Sequence, residues 1–191
     1  MDIYVNMREQ RVKENVLGPF TRYCLWVSGC NRRCEGCISP ESHDMKAGTP
    51  LNAHTLAWEV IASDVEGITI SGGEPFLQAH ALSEFIRAIK AHRDIGVIVY
   101  TGFLIEELDK VDGAQELIGL CDLIIDGPYI QSLDDGMALR GSSNQRVIPI
   151  TDRYKNYLAL YGNGPRQVQT MQTMAPEIHH VGIPTNSNYS S

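Results

Sequence analysis

Three cysteines fall within eight residues, Cys30-Asn31-Arg32-Arg33-Cys34-Glu35-Gly36-Cys37, at C-x3-C-x2-C spacing. Thiolates that close can grip one metal centre. A four-iron cluster is ordinarily held by four cysteines, so three leave one iron open to a ligand that reacts. The competing reading is zinc, with His43 completing a Cys-x3-Cys-x2-Cys-x5-His set. The chain has five cysteines in all. An odd number, clustered in this way, makes a poor disulfide framework and a good metal site. Cys24 and Cys121 sit in apolar runs and are expected as buried core thiols.

Further chemistry-bearing stretches lie downstream. Gly72-Gly73-Glu74-Pro75 is a sharp turn. Paired glycines let the backbone approach a ligand without side-chain collision. Their N–H and C=O groups suit the amino-acid end of a cosubstrate, and Glu74 suits an ammonium. By itself the tetrapeptide is an ordinary turn; one βα unit after a three-cysteine loop it gains weight. Asp126 closes a wholly apolar run, as a helix cap or as a site residue. Arg140-Gly141-Ser142-Ser143-Asn144-Gln145 is polar between apolar segments, either a surface loop or a set of donors turned toward the site. Arg32-Arg33 is either a solvated pair or a positive field beside an anionic cluster and an acidic electron donor. His54, His80 and His92 fall on helical patterns and are expected to face solvent, and a metal role for His179-His180 is not expected.

The elements that must position these residues follow from periodicity. Ile3-Tyr4-Val5 is β-like. Gly18-Pro19 marks a turn, and Cys24-Leu25-Trp26-Val27 reads as a buried strand delivering the chain into the cysteine loop. Asn52 is a good N-cap. Leu51 and Leu56 have hydrophobic-staple spacing, and Ala53, Leu56, Ala57, Val60 and Ile61 mark one helical face. Gly67 to Ser71 is a second short strand. A helix with Leu82, Phe85, Ile86 and Ile89 on one face follows. Ile95 to Tyr100 is a third strand, 104–120 has short helical patterns, Leu123 to Ile125 is a fourth strand, and Arg146 to Ile150 a candidate last one. Alternating strands and helices with continuous apolar strands predict an α/β fold with parallel pairing and right-handed crossovers. In such folds chemistry gathers at the carboxyl ends of the strands. Here those ends are Ser28-Gly29-Cys30, Ser71 to Glu74, Thr101-Gly102 and Asp126-Gly127, one polar rim carrying the cysteine loop. That context favours a cluster over zinc.

Size and composition set the outer limits. A chain of 191 residues has room for one domain with a real core. Residues 1–150 carry the pattern. In 151–191 Asn, Gln, Ser, Thr, Gly and Pro dominate, which predicts an extension that is partly ordered at best. Net charge is −7, against general nucleic-acid binding. Residues 41–150 hold 17 acidic against 7 basic side chains, whereas residues 1–40 hold 6 basic against 4 acidic. No apolar run reaches membrane-spanning length, so no membrane partner is expected. Met1-Asp2-Ile3-Tyr4 lacks a basic start followed by an apolar stretch, so no signal peptide is expected and the cytoplasm is the expected compartment.

A family resemblance rests on Cys24-Leu25-Trp26-Val27-Ser28-Gly29-Cys30, Cys34-Glu35-Gly36-Cys37, Ser71-Gly72-Gly73-Glu74-Pro75, Tyr100-Thr101-Gly102-Phe103, Asp126-Gly127-Pro128-Tyr129 and Arg140 to Gln145. In that order, over about residues 15–150, they resemble the radical S-adenosylmethionine (radical SAM) superfamily and, within it, the anaerobic (class III) ribonucleotide reductase activating proteins. Many radical SAM enzymes carry an aromatic where this chain has Gly36; the activases also use glycine. The activases often have Gly-Pro-Gly before the first strand, and Phe20 replaces the last glycine here.

The resemblance implies a partial, open (β/α) barrel with parallel strands. It implies a 4Fe-4S cluster on Cys30, Cys34 and Cys37, with S-adenosyl-L-methionine chelating the open iron. Gly72, Gly73 and Glu74 would steady its amino-acid end, backbone around Gly36, Cys37 and Ile38 would contact the adenine, and Asp126 would line the site. The implied activity is formation of a glycyl radical on a large partner enzyme, anaerobic ribonucleotide reductase, using an electron from a flavodoxin-like or ferredoxin-like donor. Other readings are activation of a different glycyl radical enzyme, direct radical chemistry on a small molecule or peptide, and a zinc-binding interaction module.

Overall fold

The computed structural model describes residues 2–167, 169–172 and 178–181. In chain order the elements are β1 (Tyr4–Glu14), β2 (Thr21–Val27), β3 (Thr49–Asn52), α1 (Ala53–Ala62), β4 (Gly67–Gly72), α2 (Ala79–Lys90), β5 (Gly96–Tyr100), α3 (Ala114–Leu120), β6 (Leu123–Asp126), β7 (Arg146–Pro149), α4 (Lys155–Tyr161), β8 (Gln169–Gln172) and β9 (Ile178–Val181). The first seven strands form one sheet in the order β3-β1-β2-β4-β5-β6-β7, and β8 pairs with β9 separately.

The expected α/β class holds. The four central strands, β2, β4, β5 and β6, are parallel. The outer strands are antiparallel, which the expectation of parallel pairing did not include. Their chemistry explains this. Only a turn joins β1 to β2, and a short connection permits antiparallel pairing alone. β1 also runs much further than the Ile3 to Val5 stretch expected. β3 contains Pro50, which lacks an N–H and is tolerated at a sheet edge; its register places Pro50 opposite Asn6. The sheet is open, ending in β3 and β7.

Two layers bury the central strands from both sides, hence their unbroken apolar runs. On one face α1, α2 and α3 pack Leu56, Val60, Leu82, Phe85, Ile86, Ile89 and Leu117 against Leu25, Ile68, Ile70, Val97, Val99 and Ile124. Asn52 caps α1 as its sequence promised, accepting from His54 N (3.0 Å) and Thr55 N (3.2 Å). Cys24 and Cys121 are buried. On the other face Ile98, Tyr100, Leu123 and Ile125 meet Ala138, Leu139 and Tyr154, with Tyr157 and Leu158 of α4 alongside. Part of the 151–191 extension therefore packs on the sheet. The remainder of that expectation falls on 168, 173–177 and 182–191, outside the described residues.

Arg22 joins the extension to the strand origins. Its guanidinium is wholly buried and donates to Thr69 Oγ1 (2.7 Å), Glu66 Oε2 (2.9 Å), Tyr154 Oη (2.8 Å) and the carbonyl of Ile68 (2.5 Å). The Tyr154 hydroxyl in turn donates to Glu66 (2.9 Å). A buried charge is tolerated only when paired and fully hydrogen-bonded. Gly96 leaves room for this knot: a Cβ there would lie 2.7 Å from Tyr154 Cζ. Phe20, where the activases often have glycine, holds φ at +62°. The turn keeps the left-handed backbone that glycine would adopt freely, at a strain cost on the order of 1 kcal/mol.

Tyr154→Phe leaves one guanidinium N–H and one Glu66 lone pair without their partner. Equilibrium urea unfolding is expected to show a loss of about 1.5–3 kcal/mol, the range for hydrogen bonds to charged groups. A loss below about 0.5 kcal/mol would mean that the extension is not coupled to Arg22.

Candidate functional site

The cysteine loop leaves the carboxyl end of β2 and is closed at its base by main chain. Gly29 N donates to Ser42 O (2.8 Å) and Cys30 N to His43 O (3.2 Å). Within it Cys37 N donates to Cys34 O (3.2 Å), and Gly36 between them holds φ at +68°. Arg32 N points at Cys30 Sγ and Ser39 N at Cys37 Sγ, each at 3.4 Å. Such N–H groups favour thiolate over thiol. Burial works the other way and prevails, raising the pKa of Cys30 and of Cys37, with the neighbouring cysteines adding to the rise. A cation bound among them would reverse that balance.

All three cysteines are free and half-buried. Among the described residues no three His, Cys, Asp or Glu side chains converge on a point able to hold one metal ion. Zinc needs four ligands about 2.0–2.3 Å from a single centre, and His43 does not complete such a set with the cysteines. A four-iron cluster asks for less convergence, because each thiolate takes its own iron. Three free cysteines on one loop, two of them accepting backbone N–H groups at sulfur, fit that requirement. Ile38 follows directly and is half-buried.

The Gly-Gly-Glu turn at the end of β4 packs directly beneath the loop. Gly73 N donates to Val27 O and Glu74 N to Gly29 O, both at 2.8 Å. Neither glycine has room for a side chain: a Cβ on Gly72 would lie 2.6 Å from the Val27 backbone, and one on Gly73 would lie 2.8 Å from the Gly29 carbonyl carbon. The glycines thus first serve an approach of backbone to backbone. Glu74 is 1% exposed. Its carboxylate accepts from Phe76 N (3.0 Å), Thr101 Oγ1 (2.8 Å) and Gly102 N (2.8 Å). It therefore laces the end of β4 to the end of β5. Burial outweighs these donors and the nearby Arg32 charge, and pushes its pKa up to about 7.

Arg32 ties the loop to the same strand end. Its guanidinium carbon stands 4.6 Å above the Phe103 ring, a cation–π distance, and Nη2 lies 3.5 Å from Glu107. Asp126 is buried at the end of β6. It accepts from Ile105 N (2.8 Å) and from Arg146 Nε (2.9 Å) and Nη2. It thus caps the short helical turn after β5 from a neighbouring strand. The polar stretch Arg140 to Gln145 folds back on the Asp126-Gly127-Pro128 corner. Gln145 Nε2 donates to Gly127 O and Asn144 Nδ2 to Pro128 O, each at 2.8 Å.

The structure thus gathers Cys30, Cys34, Cys37, Gly36, Gly72, Gly73 and Glu74 into one locality, with Asp126 bracing the rim further along. Two glutamines escaped the sequence reading. Gln78 binds the β1 and β2 ends, accepting from Asn6 N (2.7 Å) and donating to Ser28 O (3.0 Å). Gln131 lies against Gly36. Neither carries a sequence signal, since a single polar residue after a turn is ordinary.

Comparison with known proteins now bears on this site. A family model described as a 4Fe-4S single cluster domain matches residues 16–148. The anaerobic ribonucleoside-triphosphate reductase-activating protein of Haemophilus influenzae is 34% identical over 141 residues, covering 68% of this chain and 88% of the relative. Its namesake in Escherichia coli is 35% identical over 147 residues, covering 69% of this chain and 90% of the relative. The one in Vibrio cholerae is 33% identical over 146 residues, covering 69% and 90%. With a cysteine loop suited to a cluster on the rim of an open sheet with a parallel centre, this chain belongs to the family of 4Fe-4S single cluster domains and to that of the anaerobic ribonucleoside-triphosphate reductase-activating proteins.

Proposed function

We propose that this protein is a radical SAM activase that generates a glycyl radical on a large partner enzyme, anaerobic ribonucleoside-triphosphate reductase. The observation that carries the reading is a loop bearing three free cysteines whose base is hydrogen-bonded to the Gly-Gly-Glu turn, in a chain whose relatives bear the activating-protein name. In this reading Cys30, Cys34 and Cys37 hold the cluster and leave one iron for S-adenosylmethionine, and the open sheet acts as a partial (β/α) barrel. Together the two groups supply one-electron reductive cleavage and hydrogen abstraction from a glycine Cα; the protein orients them and excludes competing reactions.

The chain's own residues do the positioning. Gly72 and Gly73 bring the end of β4 close enough for its remaining backbone groups to meet the amino-acid end of the cosubstrate. Gly36, Cys37 and Ile38 present backbone to the adenine. Glu74 and Asp126 act from below by fixing the strand ends, since their oxygens already accept protein N–H and O–H groups. Arg32 holds the loop toward Phe103, and exposed Arg33 remains for an acidic flavodoxin-like or ferredoxin-like donor. Among the described residues no helix is long and apolar enough to cross a membrane, and a cytoplasmic setting suits an oxygen-sensitive cluster.

Cys34→Ala is expected to abolish both cluster assembly and reductive cleavage of S-adenosylmethionine. Iron and sulfide content, electron paramagnetic resonance (EPR) of the reduced protein and release of 5′-deoxyadenosine check this. Reductive cleavage persisting in the variant would overturn the assignment.

Glu74 gives a pH signature. Its folded pKa lies above its unfolded value, so the folded state retains a proton that the unfolded state has lost between about pH 4.5 and 7. The stability this confers is full at lower pH and declines as pH rises through that window. In metal-free protein, the wild-type unfolding free energy is expected to fall from pH 5 to pH 7.5 relative to Glu74→Gln, by on the order of 1–3 kcal/mol. Parallel pH profiles for the two proteins would refute the buried-carboxylate account.

A further inference from the structure

The turn at Gly36 is already filled. A Cβ on Gly36 would lie 2.7 Å from both Cβ and Cδ of Gln131, with Oε1 nearer still. The volume belonging to a side chain at position 36 is therefore occupied by a side chain from another part of the chain. Gln131 opens a short helical turn, Gln131–Leu133, whose backbone is well anchored. Leu133 N donates to Ile130 O (2.9 Å), Asp134 N to Gln131 O (3.2 Å), Ser143 N to Leu133 O (2.8 Å) and Ile130 N to Ser142 Oγ (3.1 Å). The Gln131 side chain is exposed, and its amide makes no hydrogen bond among the described residues. Ile130 and Leu133 on either side expose part of their apolar surface.

We infer that Gln131 is a base-reading residue: seated against Gly36, it supplies the side chain that position 36 lacks and hydrogen-bonds the edge of the adenine of S-adenosylmethionine. The inference rests on the proposal above that this adenine lies against Gly36 and Ile38. A carboxamide offers an acceptor and a donor side by side. Adenine presents the complementary pair on its N7 edge, the 6-amino donor beside the N7 acceptor. Hypoxanthine, with an oxo group at position 6, replaces that donor by an acceptor and breaks half of the match. Gly36 is then needed for two reasons, its left-handed φ and the seat it leaves for Gln131.

The test compares binding of S-adenosylmethionine and S-inosylmethionine to the anaerobically reconstituted full chain. Both are titrated by equilibrium dialysis and by the change in EPR of the reduced cluster. The wild type is expected to favour the adenine compound. Gln131→Ala is expected to weaken that compound about five- to tenfold, the worth of one or two hydrogen bonds, while the inosine compound changes by less than about twofold. Gln131→Leu, which keeps the volume, should lose the same discrimination. If both variants discriminate as the wild type does, Gln131 only fills space, and the inference falls while the cosubstrate site stands. If the wild type carries a cluster whose EPR ignores both compounds and dialysis shows no binding, the cosubstrate reading fails and takes the inference with it.

Discussion

One buried carboxylate holds the rim together. Glu74 gives its backbone N–H to the mouth of the cysteine loop and its side-chain oxygens to the end of the next strand. Three structural units thus meet on a single residue: the exit of β2, the turn after β4 and the exit of β5. Burying a carboxylate is costly, and three donors offset the cost only in part, as its displaced proton affinity shows. The geometry tolerates little change. A longer or shorter side chain would release Thr101 and Gly102, and with them the strand end on which Phe103 receives Arg32.

Much of this was legible beforehand, and the legible part has a common cause. Strands buried on both faces write continuous apolar runs, so β2, β4, β5 and β6 could be read from residue types alone, and with them the rim. Asn52 announced α1 because a capping side chain acts on its immediate neighbours. The outer strands were harder. β1 extends far beyond Ile3 to Val5 through a polar stretch without alternation, and β3 carries a proline. Both are strands because a neighbour offers hydrogen bonds, which no local pattern records. Asp126 shows the same limit: its proximity to strand β6 was evident, but its partners Ile105 and Arg146 are distant in sequence.

The second face of the sheet is covered in part by residues beyond the family match. The family match ends at residue 148, yet Tyr154, Tyr157 and Leu158 pack on β5 and β6. Further along, Pro165 forms a bridge with Met137. Arg166, almost fully buried with Asp134 at 2.8 Å, donates to the carbonyls of Arg140 (2.8 Å) and Gly141 (3.0 Å). The extension therefore reaches the polar loop that braces the Asp126 corner. Removing one partner of so enclosed an ion pair leaves the other charge stranded, so the loop and the extension are energetically one unit.

The Arg22 knot also imposes an order on how the protein comes into being. Synthesis proceeds from the N-terminus, and folding tends to follow it. Arg22 gains Glu66 and Thr69 when the second parallel strand emerges, but its last partner, Tyr154, leaves the ribosome only after every residue of the rim. The hydrogen bonds of Glu74 and Asp126 all join residues between Gly29 and Arg146. These strand ends can therefore pair before Tyr154 is available, and the extension completes both the Arg22 knot and the bracing of the polar loop last.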